Sequence, residues 1–150
     1  AEFATDHGPS GFSNEGGKRH HDELNIIRAG GNYGWPVAFG ASKDHRFVSP
    51  LLDWTPAIAP AGLAFRNSRL YVSALKGQQL REVTVQRDQN SPLGWRVIRQ
   101  RTLLAGQRGR IRAVSVAQGG SLLITTSNRD DNSKRKLVGD DKVLRVRNIP

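Results

Sequence analysis

Cysteine and methionine are both absent from the 150 residues. Without cysteine the chain holds no disulfide and no thiolate metal site, and the redox character of its compartment stays open. Without methionine there is no initiator, so the chain is expected to start at an internal or processed position and to be a fragment of a longer protein. Any signal segment upstream would then be invisible, and Ala1-Glu2-Phe3 would suit appended residues. No apolar run is long enough to cross a bilayer. No segment carries a convincing helical periodicity either.

What is abundant is positive charge. A net charge of +10 favours an anionic partner, whether nucleic acid, membrane surface or acidic small molecule. The nucleic-acid option is the weakest. Apart from the short basic run "NSKRKL" the cations are spread along the chain, and no recognised binding motif occurs. The few aromatics fall in apolar strands or tight turns rather than forming a stacking platform.

The dominant pattern is that of strands. Residues 62 to 104 contain "GLAF", "RLYVSAL", "QLREVTV" and "WRVIRQRTLL", runs of β-branched, leucine and aromatic residues separated by Asn-Ser, Lys-Gly and "RDQNSPLG" breaks. Four such runs in succession predict a four-stranded meander. A second set, "IRAVSVA", "SLLITTS" and "KVLRVRN", is joined by a "QGG" turn and a long polar loop, and is one strand short. Successive four-stranded sheets are the unit of a β-propeller, and a ring closed by its own N-terminus leaves such an incomplete last blade. The first third, with "EFATDHG" and "ELNIIRA" as strands among Gly-rich loops, fits the later part of an earlier blade. The chain is expected to be all-β, part of one propeller domain over residues 1–150, with no second domain.

The stretch "GGKRHHDELNIIRAGGNYGWPVAFG", residues 16 to 40, raises the question of chemistry. His20, His21, Asp22 and Glu23 have the side chains of metal ligands. Adjacent residues of an extended chain point to opposite faces, however, so at most two could meet one ion. The glycines lack the spacing of a phosphate-binding loop and no helix follows them. Read alone, they supply positive φ around a buried Tyr33 and Trp35.

A resemblance sharpens this reading. "ATDHGP", "DELNIIRAGGNYGWP", "WTPAIAPAGLAF", "LYVSALKGQQL", "GRIRAV" and "TTSNRD" followed by "GDDKVLRV" occur in the order and spacing of landmarks in the C-terminal half of the soluble PQQ-dependent aldose dehydrogenases, the glucose/sorbosone dehydrogenase family. The similarity extends over essentially the whole chain. It implies a six-bladed propeller of four-stranded antiparallel blades, of which these residues would form roughly the last two to three, completed by upstream blades of the same chain. It also implies oxidation of the C1 hydroxyl of an aldose to a lactone, with hydride passing to the quinone PQQ beside calcium, and an electron acceptor that is not identified.

The resemblance assigns roles residue by residue. Gly8-Pro9 match the turn whose main-chain carbonyls meet the catalytic calcium, and oxygen ligands suit so hard a cation. Glu23, through its carboxylate, and Tyr33, through its carbonyl, match the ligands of a second, structural calcium, whereas His20 and His21 match no ligand. Lys76 matches a lysine near the quinone, where a cation would stabilise charge developing on its oxygen. Arg110 and Arg112 match a pair facing PQQ carboxylates; alternation puts both on one side of a strand, and guanidinium forks suit carboxylates. Asn128 and Arg129 receive no contact.

Two departures stand out. Ala113 occupies a place where relatives carry an acid after the arginine pair, so a salt bridge orienting those arginines must come from elsewhere or be absent. Ala57 replaces a hydroxyl residue that contacts the cofactor. The family's histidine base, which takes the sugar proton, belongs to an earlier blade and none of His7, His20, His21 and His45 matches it. No catalytic residue is therefore expected in this chain, and these 150 residues alone should be inactive, since a missing base costs a factor on the order of 10²–10⁴. Periplasmic or secreted localisation follows from the resemblance alone. A non-catalytic propeller used for binding is the alternative that Ala57 and Ala113 motivate.

Overall fold

The computed structural model describes residues 1–11, 21–133, 138–147 and 149. His20 and the Lys134–Leu137 part of the basic run lie outside the described residues. The described chain has ten strands and a single 3-10 turn. Three antiparallel sheets follow one another in sequence: β1 (Glu2–Asp6), β2 (Asp22–Ile27) and β3 (Leu52–Trp54); β4 (Pro60–Arg66), β5 (Arg69–Ala74), β6 (Gln79–Arg87) and β7 (Trp95–Leu103); and β8 (Ile111–Val116), β9 (Leu122–Thr126) and β10 (Val143–Val146). Each sheet keeps sequence order, so neighbours in the chain are neighbours in space.

The four-stranded meander and the three-stranded set stand where the strand-like runs predict them. The short strand β3 was not anticipated. Its three residues pair with Asp22, Glu23 and Leu24 of β2, and so brief a run carries no periodicity that would betray it. The "QGG" turn is the 3-10 turn Gln118–Gly120.

By internal packing the chain divides into two units, residues 1–58 with 87–96, and residues 59–86 with 97–150. In the first, Leu24, Ile26, Trp54 and Ile58 are buried. β2 is unusual there, because alternation puts Leu24 and Ile26 on one face while the other face buries Glu23 and Asn25. Phe3 packs edge-on against Trp95, whose ring also carries the Arg87 guanidinium at 4.7 Å.

Tyr71, Leu80, Ile111, Val114, Leu122 and Ile124 form the core of the second unit. Each fully buried aliphatic contributes about 1.5–3 kcal/mol. Strand β5 is buried along nearly its whole length, while β7 alternates towards solvent, as suits an inner and an outer strand. Ser73 stitches two of the sheets together. Its hydroxyl accepts from Gly62 N at 2.7 Å and donates to Arg112 O at 2.9 Å. Gly62 allows that approach, since a Cβ there would lie 2.9 Å from Ala113 Cα.

One expectation about the loop after β2 is corrected. Trp35 is 53% exposed and Tyr33 only half-buried. The loop is tied by the Tyr33 hydroxyl, which donates to Ile26 O at 3.0 Å and accepts from Arg28 N at 2.8 Å, so no second buried ring is needed to close it. Gly30 and Gly34 do take the positive φ expected of them, at 70° and 99°.

Candidate cofactor and metal sites

At the start of β8 and the end of β9 the chain builds a dense polar cluster. Arg110 donates from Nε and Nη2 to Asp130 Oδ2, both at 3.1 Å, and Arg112 Nη2 reaches the same oxygen at 3.3 Å. Ser127 Oγ adds a donor to that oxygen at 2.9 Å and accepts from Arg112 Nε at 3.0 Å. The two guanidinium groups thus meet at one oxygen, although Arg110 precedes β8 and the register shifts between Ile111 and Ala113, so regular alternation does not bring them together. Asp130 is the acid that the sequence lacks at Ala113. Two cations share one carboxylate, which leaves an excess positive charge, and the Arg112 side chain is 52% exposed against 11% for Arg110.

Asp130 is held below the ordinary carboxylate range. Desolvation pushes its pKa up, but the Ser127 and Arg110 hydrogen bonds and the Arg110 charge outweigh it. Beneath the cluster sits Asn128, fully buried. Its Oδ1 accepts from Arg110 N at 2.8 Å, and its Nδ2 donates to Arg108 O at 2.9 Å and to Asp140 Oδ2 at 3.0 Å. Its own N–H donates to Asp141 Oδ1 at 2.5 Å. Gly109 is required beside it, with φ +70 and a Cβ position only 2.7 Å from Asn128 Cγ. Sequence reasoning gave Asn128 no role and overlooked Asp130; the signal was the polar run that ends an apolar strand.

Lys76 stands on the β5–β6 turn, exposed and, among the described residues, free of any hydrogen bond or ion pair. Ser73, three residues earlier, is the one bonded to the Arg112 carbonyl. An exposed, unengaged ammonium is chemically able to meet an anion.

In the first unit, the buried carboxylates organise the other predicted residues. Asp22 accepts from Gly8 N at 3.1 Å and from Ile58 N at 2.7 Å, so it anchors the Gly8-Pro9 turn, in which Pro9 is buried. Glu23 accepts from Gly40 N at 2.5 Å and from Asn25 Nδ2 at 3.0 Å. No direct bond joins Glu23 to Tyr33. Asn25 Oδ1 beside it is buried without a hydrogen-bond partner. A buried carboxylate next to an orphaned amide oxygen fits a hard cation. Among the described residues no three His, Asp or Glu side chains converge, so amide and main-chain oxygens would have to complete such a site.

His21 turns to another use. Its Nδ1 lies 2.7 Å from Asp53 Oδ2, and Thr55 Oγ1 donates to Asp53 Oδ1 at 3.2 Å. That dyad ties the residue preceding β2 to β3, and the His21 ring lies tilted against Phe39, 5.6 Å between ring centres.

Residues 4–137 match the family model described as Glucose / Sorbosone dehydrogenase. The chain belongs to the glucose/sorbosone dehydrogenase family. A proposed oxidoreductase (glucose dehydrogenase) of Thermus thermophilus is similar at 42% identity with a TM-score of 0.83, covering 95% of this chain and 40% of that one. The PQQ-bound form of an aldose sugar dehydrogenase from Streptomyces coelicolor is similar at 30% identity and a TM-score of 0.77, covering 95% of this chain and 38% of that one. The aldose sugar dehydrogenase YliI of Escherichia coli is 29% identical over 75% of this chain and 34% of its own length. As a member of the family the chain is part of a β-propeller, and it spans about a third of the curated relatives it matches.

Proposed function

We propose that the protein carrying this chain oxidises the C1 hydroxyl of an aldose to the lactone with PQQ and calcium. One observation carries the reading: Arg110 and Arg112, aligned by a single oxygen of Asp130, present excess positive charge at a strand end. When bound, the quinone would accept the hydride and calcium would polarise its oxygens. Arg110 and Arg112 hold its carboxylates and Lys76 stabilises negative charge. Asp130 keeps both guanidinium groups aimed, and Asn128 fixes the backbone under them.

The main-chain carbonyls of Gly8 and Pro9 meet the catalytic calcium, and Asp22 keeps that turn in place from below. Glu23, with the carbonyl of Tyr33, holds the structural ion; the orphaned Asn25 oxygen supports a cation there. The histidine that takes the sugar proton, the electron acceptor's docking surface and the remaining blades of a six-bladed ring belong to the protein outside residues 1–150. Periplasmic or secreted localisation accompanies this reading, and among the described residues no helix is long and apolar enough to cross a membrane. The binding-only alternative loses part of its motive, because Asp130 supplies the charge that Ala113 cannot.

Calorimetric titration of PQQ into the whole protein, with and without calcium, tests the assignment. Calcium-dependent binding that disappears in a Lys76→Ala, Arg110→Ala, Arg112→Ala variant is the expected result. Unchanged binding in the variant, or no binding by the folded protein, would overturn it.

A further inference from the structure

At the opposite ends of these strands a second cluster of cations surrounds a cavity of about 580 Å³. Arg66 closes β4, the Gln118–Gly120 turn joins β8 to β9, and Arg145 and Arg147 lie two residues apart at the end of β10. All of them line the cavity, and among the described residues no carboxylate does.

Two of the three arginines are fixed in advance. Arg66 Nη2 donates to the Tyr71 hydroxyl at 3.0 Å, with the guanidinium 5.3 Å from the centre of that ring. Tyr71 itself is fully buried and hydrogen-bonded to Glu82, so its oxygen is directed at Arg66. Glu82 does not neutralise Arg66, because it is taken by Arg101 in a two-pronged pair at 2.8 Å for each bond. Arg66 Nε remains buried with no acceptor. Arg145 Nη1 donates to Ser121 Oγ at 2.8 Å, which leaves the rest of its fork open. Arg147, exposed on the same face, has no partner among the described residues. The turn passes close to the cluster, since a Cβ on Gly120 would lie 3.6 Å from Arg66 Nη1.

Three guanidinium groups around one concavity repel one another. That repulsion is relieved by an anion with several oxygens to accept from the open parts of the planar forks. The volume exceeds what a single phosphate fills. The geometry points to a binding site for a small multivalent phosphate, of pyrophosphate type, held by Arg66, Arg145 and Arg147, with Ser121 orienting Arg145. It is independent of the arginine pair at the start of β8.

The test is isothermal titration of inorganic pyrophosphate into the whole protein at about 0.15 M salt, where screening suppresses diffuse attraction. Saturable one-site binding is expected, weakened at least about tenfold in Arg66→Gln, Arg145→Gln, Arg147→Gln. A charge-matched control, Lys43→Gln, Arg96→Gln, Arg99→Gln, should bind as the wild type does. The double variant Arg145→Gln, Arg147→Gln alters only exposed side chains, and it should weaken binding even if the Arg66 change loosens the sheet. Equal loss in control and site variants would reduce the effect to net charge and sink the proposal. So would the absence of saturable binding. Tighter binding of citrate than of pyrophosphate would reject the phosphate assignment.

Discussion

Asp130 reaches back twenty residues to Arg110, its Oδ2 accepting from Nε and Nη2 at 3.1 Å each. The pair replaces an acid that the sequence lacks next to the arginines, and it does so from another strand end. Because the Asp130 pKa is lowered from 3.8, its charge strengthens the fold above that value and is lost only as pH falls through the depressed one. Asp130→Asn should therefore melt below the wild type at neutral pH, with the gap still present at pH 3.8 and closing in stronger acid. Thermal melts across that range check it; a gap independent of pH would refute the linkage.

Gly109 should tolerate no side chain. Its φ of +70 and its contact with Asn128 make Gly109→Ala destabilising by about 2 kcal/mol, through strain and displacement of the Asn128 amide from Arg110 N. Denaturant titration gives the magnitude. On the proposed function the same variant also loses PQQ affinity, and retained affinity would detach Asn128 from the site.

Glu82 is the buried charge whose loss should be felt most. It is almost fully enclosed and pairs with Arg101 at 2.8 Å and Arg69 at 3.9 Å. Desolvation raises its pKa, but the Arg101 bond and charge together bring it below 4.5. Glu82→Gln should cost about 2 kcal/mol, at the low side for a buried pair because Arg101 keeps some access to water. The penalty should shrink as pH falls below 4.5 and the wild-type carboxylate protonates. A cycle with Arg101→Met, read by chemical denaturation, isolates the pair; zero coupling would show that the bond adds nothing.

Calcium should raise the melting temperature of the wild type and not that of Glu23→Gln. The amide keeps the volume and an acceptor for Gly40 N, but lacks the charge a hard cation requires. Chelator should lower the wild type to the level of the variant. An equal calcium response in both would remove Glu23 from the metal site.

Much of the fold is legible in the chain. The runs around Tyr71, Val83, Ile98, Val114, Ile124 and Leu144 become the strands they predict, because β-branched and apolar residues between turn-formers determine local extension whatever surrounds them. The arginine pair itself is legible as residues, but its convergence is not a matter of spacing, because Arg110 precedes β8 and the register shifts at Arg112. Local sequence also determined the positive φ at Gly30 and Gly34, where a residue without a Cβ turns the chain freely.

The partners of those groups were decided elsewhere. Asp22 under the Gly8 turn, Asp130 across from Arg110, Asn128 beneath both and the solvent-facing Trp35 follow from no spacing, because each depends on which strand ends the sheets bring together. Sequence by itself determined what is local: where the backbone extends, where it turns, and how side chains alternate. Only the tertiary structure decided which buried charge found which donor, because an unpaired buried group is costly and its partner comes from whatever residue packing places within hydrogen-bond reach.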